Sequence, residues 1–154
     1  MTVCTQNPNE TEAIAASFAT HLQNQDRIGL IGTLGSGKTC FVRGLAQGLH
    51  TDLNYMVNSP TFTIANIYPS TIPLCHFDLY RLNSTEELLS LGFDDYFNNP
   101  GIFVIEWADK FDNKCPRDLD IYITANTQNS RKFSLKTYSP RGQDLAIFWE
   151  NCHV

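Results

Sequence analysis

The residues whose types and spacing are best suited to chemistry are Gly32-Thr33-Leu34-Gly35-Ser36-Gly37-Lys38-Thr39, which fit GxxxxGK[S/T] at every fixed position. With the Gly, Lys, Ser and Thr frequencies of this chain, such a match arises in roughly 0.002 of shuffled sequences. Glycines let successive backbone N–H groups turn inward around phosphate oxygens, and a helix beginning at the loop's end adds the positive end of its dipole. The expected chemistry is therefore phosphate and Mg²⁺ binding by Leu34, Gly35, Ser36, Gly37, Lys38, Thr39 and Cys40. Lys38 would reach the β- and γ-phosphates, and the Thr39 hydroxyl would hold the metal.

Mg²⁺ on a triphosphate takes oxygen ligands and keeps several waters, so such a loop needs an acid at the end of a neighbouring buried strand. Glu106 follows four apolar residues in Ile102-Phe103-Val104-Ile105, and Asp78 ends Leu74-Cys75-His76-Phe77. Both qualify, and which lies nearer the metal stays open at this level. Trp107 either packs on a nucleotide or belongs to the core, whereas His76 reads as an ordinary strand histidine. Asn113-Lys114-Cys115-Pro116 begins like a guanine-reading motif but has Pro where aspartate should stand. Asp26-Arg27-Ile28-Gly29 imitates a DxxG switch yet precedes the loop.

The elements that must position these groups are legible from periodicity. Ile28-Gly29-Leu30-Ile31 is a short apolar strand entering the loop, and Phe41, Val42, Leu45, Ala46 and Leu49 line one face of the helix after it. Ile14, Ala15, Phe18, Ala19 and Leu22 mark an earlier helix, with Asn9 as N-cap and Glu12 as its N3 acid. Thr61 to Tyr68 and Leu74 to Tyr80 read as a hairpin across Pro69 to Pro73. Ser84 and Glu87 form a capping box for a short helix that stops at Gly92. Ile102 to Ile105 lacks alternation, as a strand buried on both faces of a parallel sheet does. Leu119 to Ala125 and Phe133 to Leu135 alternate around a turn at Asn126 to Ser130, and Leu145 to Trp149 closes the chain as a helix. The expected fold is α/β, a single P-loop domain over 1–154 with a mixed sheet, parallel core strands, β-hairpins and flanking helices.

With 154 residues, 42% of them hydrophobic, the chain can build one core and little more. A net charge of -5 repels a phosphate backbone, so any role with nucleic acid needs a local basic patch or a partner protein. Five scattered cysteines without a CxxC pair read as free thiols in a reducing cytosol. The opening residues show no basic-then-apolar leader and no apolar run approaches a membrane span, so a cytoplasmic location is expected.

GTLGSGKTCFVRGL, NSPTFTI (Asn58 to Ile64), HFDLYRL (His76 to Leu82), EEL (Glu86 to Leu88) and VIEW (Val104 to Trp107) occur in an order and spacing that resembles the TsaE family, the bacterial ATPases needed to make threonylcarbamoyladenosine (t6A) in tRNA. The resemblance runs from about Thr11 to Arg131, and HFDLYR with VIEW is far more specific than the loop alone. It implies a weak ATPase that binds ATP with Mg²⁺. Its implied partners are the catalytic subunit of the threonylcarbamoyl-transferase complex and its companion subunit, with tRNA reached only through that complex. Matched by motif, Lys38, Asp78 and Glu106 are the implied catalytic residues, and Thr39 with Glu106 the metal residues. Trp107 lies beside the nucleotide, Ser59-Pro60-Thr61 is a switch-like segment with Thr61 sensing the γ-phosphate, Thr11 lies near adenine, and Arg131 lies on the nucleotide's edge. Thr33 departs from the acid that members usually carry there, so a charge that would help restrain the loop or bind a partner is missing. Ser36 for the commoner alanine is conservative.

Two other functions fit the loop. A small-molecule kinase would need an arginine-bearing lid, yet the six arginines do not cluster. A nucleotide-gated binding module would need only ATP to order the Ser59 to Thr61 segment for a partner, with little hydrolysis.

Overall fold

The structure, a computed structural model, describes residues 2–52, 56–58, 60 and 63–152. Its strands are β1 (Val3–Thr5), β2 (Arg27–Ile31), β3 (Ala65–Tyr68), β4 (Leu74–Asp78), β5 (Ile102–Glu106), β6 (Leu119–Ala125) and β7 (Arg131–Thr137). Its helices are α1 (Pro8–Ala19), α2 (Lys38–Gly48), α3 (Thr85–Ser90) and α4 (Pro140–Glu150). Two 3₁₀ segments, Phe93–Asn98 and Ala108–Lys114, flank β5. The strands form one mixed sheet in the order β1-β7-β6-β2-β5-β4-β3. β2 is parallel to β5 and β6, and β4 is parallel to β5, while the β3–β4 and β6–β7 hairpins extend the sheet antiparallel. The expected α/β sheet with parallel core strands and two hairpins is thus present.

Alternation assigns the two faces of the sheet. Ile28, Leu30, Leu74, Ile102 and Val104 pack with α1, α2 and α4, whose buried Phe18, Phe41, Leu45 and Trp149 form one core. Cys75, Phe77, Phe103 and Ile105 point the other way and pack with Leu88 and Phe93. β5 is buried at all five positions, which explains its unbroken apolar run. Burial pushes the Cys75 thiol up to about 11 and the Cys115 thiol up to about 12, and both are free cysteines.

Local chemistry moved two expected boundaries and one expected cap. Helix α1 starts earlier than Asn9, because Asn7 accepts the Glu10 amide and Pro8 fits the first helical position, where no N–H is needed. Glu12 is not a cap but a bridge to α2, accepting from Arg43 Nε at 3.2 Å and Gln47 Nε2 at 3.1 Å. Helix α4 begins at Pro140 because Ser139 caps Gly142. The Ser84 cap and the left-handed Gly92 bound α3 as expected. Strand β1 was not foreseen; its three residues are too few to show a period, and its pairing with β7 defines it.

Helices α1 and α2 cross closely because Gly44 and Gly48 have no side chains. A Cβ on Gly44 would lie 2.4 Å from the Glu12 carbonyl oxygen, and one on Gly48 2.3 Å from that of Ala16. Alanine normally stabilises a helix interior relative to glycine by about 1 kcal/mol. Here overlap with rigid backbone should reverse the sign, so Gly44→Ala is expected to cost about 1–3 kcal/mol in urea unfolding. Unchanged or raised stability would refute this account of the crossing.

Candidate functional site

Strand β2 ends at Ile31, and the chain turns through Gly32 to Gly37 into α2, so the loop sits at the helix's positive end. Gly35 and Gly37 take φ of 76° and 106°, left-handed values that cost other residues strain. A Cβ on Gly32 would lie 2.6 Å from the Ile123 carbonyl oxygen, so that glycine is set by close approach instead. Lys38 is buried, and its Nζ donates to the carbonyls of Gly32 at 2.7 Å and Thr33 at 2.9 Å. The Ser36 amide also donates to the Thr33 carbonyl, at 3.1 Å. Position 33 thus restrains the loop through its carbonyl, whatever its side chain.

Sheet register brings the acids to this loop. In β4, His76 and Asp78 alternate with Cys75 and Phe77 and so face α2 with Leu74. In β5, Glu106 faces the same way as Val104, and Asp78 lies opposite Glu106 in the parallel pair. The Thr39 hydroxyl donates to Glu106 Oε1 at 3.2 Å, and His76 Nε2 meets the same oxygen at 2.8 Å. Because the Thr39 proton goes to Glu106, the hydroxyl's lone pairs remain for a cation. A hydroxyl and a carboxylate are what a hard divalent ion takes. Among the described residues no three His, Cys, Asp or Glu side chains form a metal cage.

Trp107 follows Glu106 with φ of 61°, a costly value for a large side chain. Its amide continues the β2 pairing by donating to Leu30 at 3.1 Å. Its ring lies 4.4 Å from Lys38 Nζ in a cation–π contact and 5.0 Å from the Tyr80 ring. Burial lowers the Lys38 pKa, and Glu106, Asp78 and Asp109 oppose that shift. The result is a partly desolvated cation beside two acids, in a cleft of about 450 Å³.

Comparison with known proteins gives the family. The family model described as "Threonylcarbamoyl adenosine biosynthesis protein TsaE" matches residues 5–133. The chain belongs to the TsaE family. A Bacillus subtilis protein named "tRNA threonylcarbamoyladenosine biosynthesis protein TsaE" is 38% identical, over 92% of this chain and 88% of its own. A Haemophilus influenzae protein of the same name is 35% identical over 85% and 82%. The solved structure of YdiB from Bacillus subtilis superposes with a TM-score of 0.81 at 32% identity, covering 98% of this chain and 94% of that one.

Of the residues expected from the TsaE resemblance, Leu34, Gly35, Ser36, Gly37, Lys38, Thr39, Cys40, Asp78, Glu106 and Trp107 all line the cleft. Ser59 and Thr61 lie outside the described residues. Thr11 is buried on α1, its hydroxyl 2.8 Å from that of Thr5. Arg131 grips the loop's backbone, donating from Nε to the Ser36 carbonyl at 2.6 Å and from Nη2 to that of Gly35 at 3.3 Å. Its Nη1 donates to the carbonyls of Thr127, Gln128 and Ser130. Sequence reasoning undervalued His76, although its place two residues before Asp78 on a strand already puts both on one face. It also passed over Tyr80, whose exposed ring closes on Trp107.

A planar peptide whose carbonyl is tied to Arg131 aims its N–H the opposite way, toward the cleft that Gly37 lines. Arg131→Gln should therefore loosen the loop, raising amide hydrogen exchange at Gly35, Ser36 and Gly37 about tenfold. Wild-type exchange rates in that variant would show that Arg131 does not hold the loop.

Proposed function

We propose that residues 1–154 work as a single P-loop domain, a slow Mg²⁺-dependent ATPase of the cytoplasm. The domain acts on the threonylcarbamoyl-transferase complex, through its catalytic subunit and companion subunit, during t6A modification of tRNA. The observation that carries this reading is the convergence of Lys38, Thr39, Asp78 and Glu106 on one cleft at the positive end of α2. The names of the TsaE relatives supply the pathway.

In this mechanism the backbone N–H groups of Gly35 to Thr39 receive the β-phosphate. Lys38, already stripped of much of its water, exchanges the Gly32 and Thr33 carbonyls for β- and γ-phosphate oxygens. Thr39 and Glu106 would hold Mg²⁺, which when bound would neutralise phosphate charge. Asp78 orients the attacking water or ties the γ-phosphate to the β3–β4 hairpin, and Thr61 senses that phosphate. Trp107 and Tyr80 wall the site against solvent. Arg131 supports the nucleotide by holding the loop from outside, and Thr11, buried against Thr5, supports it only through the packing of α1. Of the arginines a small-molecule kinase would need, Arg43 and Arg81 line the cleft, and Arg117, Arg141 and Arg131 are held in ion pairs or on the loop backbone. Arg117 pairs with Asp112 and Asp120, Arg141 with Asp26, and Arg43 with Glu12.

The test is ATP turnover by the purified chain alone and with the two transferase subunits. Turnover should be slow alone and rise about tenfold or more with the partners. Lys38→Ala should abolish ATP binding. Asp78→Ala should keep it while losing about a hundredfold of the stimulated rate. A rate unchanged by authentic partners would contradict the partner assignment. Loss of binding in Asp78→Ala would make that residue a ligand and not a part of turnover.

A further inference from the structure

We infer that His76 is a positioning residue for Glu106: its Nε2–H holds Oε1 of the carboxylate and so dictates which oxygen Glu106 presents to the nucleotide cleft. The inference rests on the Mg-ATP reading of that cleft and adds a residue to it.

Three observations carry it. His76 is fully buried at 0% exposure, and its Nε2 lies 2.8 Å from Glu106 Oε1. Among the described residues its Nδ1 is buried with no partner. A buried N–H without an acceptor is the rarer and costlier orphan, whereas a bare ring lone pair is the cheaper one. The ring therefore carries its proton on Nε2 and donates it to Glu106. The Tyr68 ring lies 6.3 Å away at 29°, and β4 pairs His76 with Val104 of β5 and Asn66 of β3, so the imidazole is fixed in place. A residue serving packing alone would be apolar here and leave no orphaned nitrogen. The polar ring is explained by its bond to Glu106.

That bond has a geometric consequence. Oε1 accepts from both His76 and Thr39, so two donors on different elements pin one oxygen. Oε2 remains as the oxygen for the cleft that Glu106 lines. Without His76, Thr39 alone holds the carboxylate, which can then rotate and offer either oxygen. Partners in the second coordination sphere of metal sites typically change metal affinity or activity about 10–100-fold.

The experiment compares wild type, His76→Phe and His76→Gln by equilibrium binding of a fluorescent ATP analogue, in EDTA and across a Mg²⁺ titration. Phe keeps the ring's shape and removes the donor, while Gln returns an N–H near the Nε2 position. His76→Phe should bind the analogue in EDTA within about twofold of wild type but need about tenfold more Mg²⁺ for the same enhancement, and His76→Gln should recover to within about threefold. A normal Mg²⁺ response in His76→Phe overturns the inference, as does equal loss in both variants with binding in EDTA also impaired. If Mg²⁺ fails to enhance binding in wild type, the Mg-ATP reading itself falls and takes the inference with it. The imidazole ¹⁵N spectrum of wild type supplies a check that needs no variant. A proton on Nε2 with Nδ1 bare supports the inference, and a proton on Nδ1 contradicts it.

Discussion

Leu30 of β2 lies opposite Glu106 of β5, and Glu106 lies opposite Asp78 of β4, in three adjacent parallel strands. The convergence of Lys38, Thr39, Asp78 and Glu106 on one cleft depends on that register. β2 delivers the phosphate loop, and because the strands run parallel, the acids that end β4 and β5 emerge at the same edge as the loop. A slip of one residue would turn Glu106 and His76 to the opposite face and replace them with Ile105 and Phe77 beside Thr39. The register is held by the buried alternation itself, since Ile102 and Val104 must meet α1 and α2 while Phe103 and Ile105 meet the aromatic cluster behind the sheet.

The candidate site lies where the fold can tolerate polar groups. Glu106, His76 and Lys38 are buried, but each has a hydrogen-bonding partner in the site. The positive φ of Trp107 is held by its own bond to Leu30 and by the 3₁₀ segment that follows. The turn at Trp107 lets a buried strand end in a carboxylate and at once place an indole beneath Lys38. On the opposite face, Arg117 binds Asp120 and Asp112, and Tyr138 donates to Asp120 at 2.6 Å. That buried network needs Gly29, where a Cβ would meet Asp120 Oδ1, so the small residue in β2 serves packing behind the site.

Much of this was legible from residue order. The loop, the helix after it, both hairpins and the apolar run of β5 follow from local patterns, because each depends on periodicity or turn chemistry within a few residues. Strand β1, the 3₁₀ segments and the start of α1 depended on pairing partners or caps too short to show a period. In the site, the loop and the two acids were readable by motif, whereas the grip of Arg131 on the loop spans 95 positions in sequence and leaves no local trace. His76 fell between the two: alternation with Asp78 hinted at its face, but only the β4–β5 register showed that it meets Glu106.

At the centre of the proposal is a single metal site that Thr39 and Glu106 would share. A double-mutant cycle measures it directly, with Mg²⁺-dependent ATP affinity determined for Thr39→Val, Glu106→Gln and the combined variant. The account predicts strong non-additivity, the double variant losing little more than either single one, with a coupling above about 1 kcal/mol. Losses that simply add would mean that the two residues act at separate places, and would contradict it.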